Sequence, residues 1–185
     1  MKVSDLRIAG LKLVEPMVHR DERGAFFETW NRTRYTEAGI DAGMEQANVS
    51  HSEHGVLRGL HHQWPRPQGK LVWVLAGEVW DVAVDIRRGS PTFGEWEAVV
   101  LSGDNGRQLW LPPGFAHGFV VLSERATFCY LCTEAYDREA DACIRWDDPD
   151  LAIDWPIARP RLSAKDAAAP LFKAIDESRL PDLHA

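Results

Sequence analysis

Residues 70–86, KLVWVLAGEVWDVAVDI, decide the fold. After the Ala76-Gly77 turn, Trp80, Val82, Val84 and Ile86 fall on one side of an extended chain and Val79, Asp81, Ala83 and Asp85 on the other. A period of two is a strand's period, with one face expected on apolar neighbours and the other turned to something polar. Outward from this stretch, short apolar or alternating runs recur at 24–30, 46–51, 70–75, 78–86, 96–101, 108–111, 118–122 and 127–133, punctuated by turns such as Gly103-Asp104-Asn105-Gly106. No long amphipathic helix interrupts them, so the series predicts an all-β sandwich or jelly roll. Short helices are expected at 33–38 and from Ser163-Ala-Lys-Asp166, the latter broken at Pro170.

The 185 residues suit one domain, with a barrel over about 1–157 and a helical tail over about 158–185 packed against it. The formal charge of −7 offers no basic surface to a phosphate backbone, which argues against nucleic-acid binding; a bound phosphate would belong to one small ligand. The start MKVSDLRIAGLKLVEP lacks the apolar core of a signal peptide, and no run is long enough to cross a bilayer. Cys129, Cys132 and Cys143 are too few and too oddly numbered for a disulfide framework, which fits a reducing cytoplasm. The CxxC at 129–132 lies in the β-like run RATFCYLCTEAY, where residues three apart point to opposite faces; free buried thiols are expected, not a zinc or redox pair.

The segment GRQLWLPPGFAHGFV, residues 106–120, spaces Gly106, Pro112, Gly114 and His117 in a way that resembles the second signature of the cupins. The first signature would begin at Gly55, with His61 as its first metal ligand, but Gln63 and Gln68 stand at the next two ligand positions. Metal sites in this class need imidazoles and carboxylates converging on one point. The set reads as dismantled, and no metal is expected.

Five longer blocks, RDERGAFFETWN (20–31), QANVSHSEHGVLRGLHHQWP (46–65), GKLVWVLAGEVWDVAVDIRRGSPTFGEW (69–96), LPPGFAHGFVVLS (111–123) and IRWDDPDLAIDWP (144–156), together resemble the dTDP-4-dehydrorhamnose 3,5-epimerase family. The resemblance implies a cupin-type β jelly roll with short C-terminal helices, a homodimer, no cofactor, and a dTDP-4-keto-6-deoxy sugar as substrate. Inverting two carbons beside a ketone requires a base, an acid on the opposite ring face and a group that holds the enolate oxygen. By resemblance His61 is the base, Asp166 its orienting partner, Tyr130 the proton donor and Lys70 the enolate holder. A neutral imidazole suits a base near pH 7, and Asp166 also fits a helix-capping position.

The resemblance further implies that Arg23 and Arg58 contact the diphosphate, that Glu28, Gln46, Asn48 and Tyr136 bind substrate, and that Phe26 lies in the same block. His117 and Lys165 are expected near the sugar. The strand from Arg23 to Glu28 is expected to reach into the neighbouring subunit's site. Asp141 stands where the family commonly has a glutamate, and Trp73 and His62 replace more usual residue types. Relatives that epimerise one carbon or move the ketone to C3 remain alternatives, as do a metal-binding cupin oxygenase and a catalytically silent sugar-nucleotide binder.

Overall fold

The computed structural model describes residues 1–183. In chain order the elements are β1 (Lys2–Asp5), β2 (Lys12–Glu15), β3 (His19–Asp21), β4 (Gly24–Phe26), α1 (Arg32–Glu37), β5 (Gln46–Glu53), β6 (Leu57–Gln63) and β7 (Lys70–Ala76). They continue with β8 (Glu78–Asp85), β9 (Trp96–Ser102), β10 (Gln108–Leu111), β11 (Phe115–Val121), β12 (Arg125–Cys132), β13 (Asp141–Cys143) and α2 (Ala164–Ala167). Two antiparallel sheets result: six strands in the order β1-β2-β10-β7-β12-β5 and five in the order β13-β6-β11-β8-β9, with β3 and β4 forming a separate ribbon. The all-β reading holds, and no helix among the described residues is long and apolar enough to cross a membrane.

Each sheet is covered on both faces over its central strands. Between them lie Val72, Val74, Leu109 and Phe128 from the six-stranded sheet and Val79, Ala83, Phe115 and Phe119 from the five-stranded one. The outer face of the five-stranded sheet carries Val82, Val84 and Ile86 against Leu151, Trp155, Phe172 and Leu180 of the C-terminal segment. On the other side Leu71, Trp73, Trp110 and Cys129 are covered by Tyr35 and Ile40, which come from α1 and the turn after it. The tail is thus an outer layer of the core, and it brings α2 to the sheet edge.

This layering sharpens the reading of residues 78–86. Their Trp80–Ile86 side packs on the tail, while their other side faces the inter-sheet core, where Val79 and Ala83 are fully buried and Asp81 and Asp85 are the polar exceptions. The Ala76-Gly77 turn carries the chain from the six-stranded to the five-stranded sheet. Gly77 adopts φ +81°, and a Cβ there would sit 2.0 Å from the Arg125 carbonyl oxygen, so only glycine fits this corner.

Several boundaries differ from expectation. The strand expected over 24–30 ends at Phe26, because Asn31 already caps α1 by accepting from the Arg34 amide, and the chain between turns away from the ribbon. Strands β1, β2, β3, β6 and β13 were absent from the expected series; β3 and β13 are three residues long, too short for periodicity to register. Cys129, Cys132 and Cys143 are free and buried, as expected.

Candidate active site

β6 lies between β11 and β13, and the register sets His61 opposite His117 on one side and Cys143 on the other. Asp166 arrives from α2, whose N-cap Ser163 accepts the Asp166 amide through its Oγ at 3.1 Å. The Asp166 carboxylate is buried and accepts from His61 Nε2 at 2.6 Å. Burial pulls this carboxyl upward, but hydrogen bonds from His61, Ser163 and Cys143 outweigh it and hold the pKa below the usual carboxylate value. An ionised Asp166 only accepts, so Nε2 carries a hydrogen and the other ring nitrogen, Nδ1, keeps its lone pair. His61 is therefore oriented as a base, with 36% of its side chain exposed.

Two adjoining cavities, of about 220 and 160 Å³, share three wall residues: His61, Lys70 and Tyr130. Lys70 opens β7 opposite Cys132, and Tyr130 follows on β12 opposite Val72. Burial lowers the Lys70 pKa, and nearby Cys132 and Asp141 offset part of that fall. No acceptor for Lys70 Nζ occurs among the described residues, so its N–H donors are free for a ligand oxygen. Burial raises the Tyr130 phenol, with Cys132 adding and Arg58 opposing, so Tyr130 is protonated at neutral pH.

The larger cavity also takes Gln46, Asn48, Tyr136, Asp141 and Lys165. Gln46 accepts the Tyr136 amide at 2.8 Å and donates to Asn48 at 2.8 Å, which presents a row of amides along one wall. Asp141 accepts from Tyr136 Oη at 3.0 Å and pairs with Lys165, so the shorter carboxylate braces two neighbours. The smaller cavity adds Arg58, held by Ser52 Oγ at 3.0 Å, and His117, whose Nε2 lies 3.0 Å from both oxygens of Asp81. Asp81 is fully buried, and burial drives its carboxyl upward against the pull of His117.

Three of the expected substrate-binding residues are not brought to these cavities within the chain. Arg23 is paired with Asp21 at 2.5 Å and leaves 85% of its side chain in solvent, while Phe26 is 73% exposed on the β3–β4 ribbon. Glu28 accepts from Asn31 and Arg34 beside α1. Residues that sequence reasoning gave no role include Cys143, Cys132 and Asp81. Only Asp81 left a signal, as a carboxylate on the inward face of an alternating strand. Trp73 is buried in the outer cluster, away from both cavities, whereas His62 contributes to the larger one.

The cupin-type ligand positions do not fit a metal. Gln63 Nε2 donates to the Arg66 and Ala135 carbonyls while its Oε1 accepts the Asp137 amide, and Gln68 Nε2 donates to the Glu134 carbonyl. Both side chains are committed to loop backbone, and neither offers the carboxylate or imidazole the position requires.

A family model described as dTDP-4-dehydrorhamnose 3,5-epimerase matches residues 5–174. The dTDP-4-dehydrorhamnose 3,5-epimerase of Pseudomonas aeruginosa is 52% identical over 178 residues, 95% of this chain and 98% of that protein. The dTDP-6-deoxy-D-glucose-3,5-epimerase of Legionella pneumophila, solved in complex with dTDP-4-keto-L-rhamnose, superposes with a TM-score of 0.97 at 54% identity, covering 100% of this chain and 99% of that one. ChmJ, a 3′-monoepimerase from Streptomyces bikiniensis solved with dTDP-quinovose, has a TM-score of 0.91 at 36% identity over 97% of this chain and 92% of its own. The chain belongs to the dTDP-4-dehydrorhamnose 3,5-epimerase family, isomerases that act on a sugar.

Proposed function

We propose that this chain converts dTDP-4-dehydro-6-deoxy-D-glucose to dTDP-4-dehydro-L-rhamnose through His61, Lys70 and Tyr130. The observation that carries the reading is the common wall: an oriented imidazole, a desolvated ammonium and a protonated phenol all border the same two cavities. His61 takes the proton at C5, the C–H electrons move toward the C4 carbonyl, and Lys70 donates to the resulting enolate oxygen. Tyr130 returns a proton from the opposite face, exchange with solvent removes the proton from His61 and restores the Tyr130 phenol, and the cycle repeats at C3. Asp166 keeps the ring in place and stabilises it when protonated, as in other His–Asp pairs. No cofactor enters these steps.

The amide row of Gln46 and Asn48 with Tyr136 and Lys165, together with Arg58 and His117, is assigned to holding the nucleotide and sugar. The surface position of Arg23, Phe26 and Glu28 supports a homodimer in which the ribbon of one subunit completes the other's site. The same reading takes residues 1–185 as one domain working in the cytoplasm.

Incubating the protein with dTDP-4-dehydro-6-deoxyglucose in heavy water, with deuterium located by NMR, tests the assignment. Label is expected at both C3 and C5; label at one carbon, or a ketone moved to C3, would reassign the chain to a single epimerase or ketoisomerase. His61→Asn should abolish exchange, and exchange at the wild-type rate would remove His61 as the base. Tyr130→Phe should impair product formation more than proton loss, and an unchanged product ratio would remove Tyr130 as the acid.

A further inference from the structure

Cys143 is the Cα partner of His61 across the β6–β13 ladder, so the two side chains leave the sheet on the same side. α2 sets Asp166 against both. Its Oδ1 lies 2.6 Å from His61 Nε2 and 3.6 Å from Cys143 Sγ, and one ligand atom from each of the three residues falls within 4.8 Å of the others. Imidazole, thiol and carboxylate form a donor set suited to zinc-class ions, which bind them at about 2.0–2.3 Å in tetrahedral geometry. Such bonds place neighbouring ligand atoms roughly 3.3–3.8 Å apart. The Cys143–Asp166 separation already has this value; the His61–Asp166 separation must open by roughly 0.7 Å, within reach of a ring whose side chain is 36% exposed.

Two further features favour an ion here. His61 lines the 220 Å³ cavity, which gives a path of entry to the set. The nearby Lys165 is already paired with Asp141, leaving Lys70 across the cavity as the remaining cation. This donor set shares His61 with the cupin ligand positions but uses none of Gln63, Gln68 and His117; its other two ligands, Cys143 and Asp166, come from β13 and α2.

We propose that His61, Asp166 and Cys143 bind a thiophilic divalent cation of the Zn²⁺ class, and that its occupation blocks the His61 base. Coordination through Nε2 moves the imidazole hydrogen to Nδ1, the nitrogen that would take the substrate proton, and releases the Cys143 proton to solvent, so proton abstraction and ion binding exclude each other. Oxygen-preferring Mg²⁺ and Ca²⁺ are not competitors for a thiolate-containing site. The blocking half rests on the reading of His61 as base, whereas the binding half does not.

Untagged protein without substrate is titrated with Co²⁺, and the thiolate-to-cobalt charge-transfer absorption is followed. One ion per chain is expected, displaced by Zn²⁺, with affinity lowered more than about 100-fold in both Cys143→Ser and Cys143→Ala, beyond the usual cost of losing an outer-shell partner. Absence of the band in the wild type overturns the site without recourse to a variant, and so does a band that persists in either variant. In the heavy-water assay Zn²⁺ should suppress exchange over the range in which it displaces Co²⁺. Chelator should restore exchange, and millimolar Mg²⁺ should leave it unaffected. Binding without suppression would overturn the blocking half and remove His61 as the base; exchange that is absent even from ion-free protein would overturn the epimerase reading while the ion site stands.

Discussion

His61 and His62 are consecutive on one strand and meet opposite environments. His61 reaches a carboxylate and an open cavity, while His62 is 4% exposed and neither of its ring nitrogens has a hydrogen-bond partner among the described residues. Burial, reinforced by the Lys70 charge, lowers the His62 pKa to about 4. The folded state holds His62 neutral, whereas the unfolded chain takes up a proton near pH 6.5. Its contribution to stability is therefore complete above about pH 6.5 and declines as pH falls toward about 4, by on the order of 3 kcal/mol. His62→Phe should flatten that decline: the urea midpoint of the wild type should drop between pH 7.5 and 4.5 considerably more than that of the variant. Parallel drops would show that His62 does not titrate against its burial.

At the scale of elements, the proposed catalytic pairing of His61 with Asp166 depends on a helix of four residues, too short to hold itself together. Ser163 fixes its first turn, and Asp166 is both the recipient of that cap and the partner of His61. Ser163→Ala should cost about 1 kcal/mol of stability. It should lower kcat more than it changes KM, because the carboxylate loses its anchor while the cavity walls do not, and Ser163→Thr should restore both. An unchanged kcat would mean that the tail positions Asp166 without the cap. The Ser163–Asp166 start was legible, since capping is local chemistry. β6 was missing from the expected series of strands, although it carries the proposed base. Gly59 interrupts it because a Cβ there would lie 2.5 Å from Gly118 Cα, where two strand backbones close on each other. A glycine kept for a distant neighbour reads locally as a strand breaker. The same limit hid Cys143: its meeting with His61 is a matter of register between segments about eighty residues apart in the chain.

The whole molecule raises a different question, because Arg23, Phe26 and Glu28, which are proposed to bind substrate, lie on an exposed part of the surface. His61, Asp166, Tyr130 and Lys70 were assigned by resemblance, from separate segments, and the fold gathers them. Arg23, Phe26 and Glu28 were assigned in the same way, and within one chain they stay outside both cavities. Phe26 is 73% exposed, and all six residues of the β3–β4 ribbon are exposed, a large commitment of ordered backbone with little to pack against. If the ribbon completes the site of a second subunit, two differently damaged chains should repair one another. His61→Asn and the double variant Arg23→Ala with Phe26→Ala should each be impaired alone. Mixed dimers would then hold one site with both lesions and one with none. Random reassociation makes half the dimers mixed, so activity should return to about a quarter of the wild-type value per chain. Recovery should track the mixed species on a column that separates tagged from untagged dimers. If the ribbon served only its own chain, every site in the mixture would keep one lesion and no activity would return, and the incomplete surface would need another occupant.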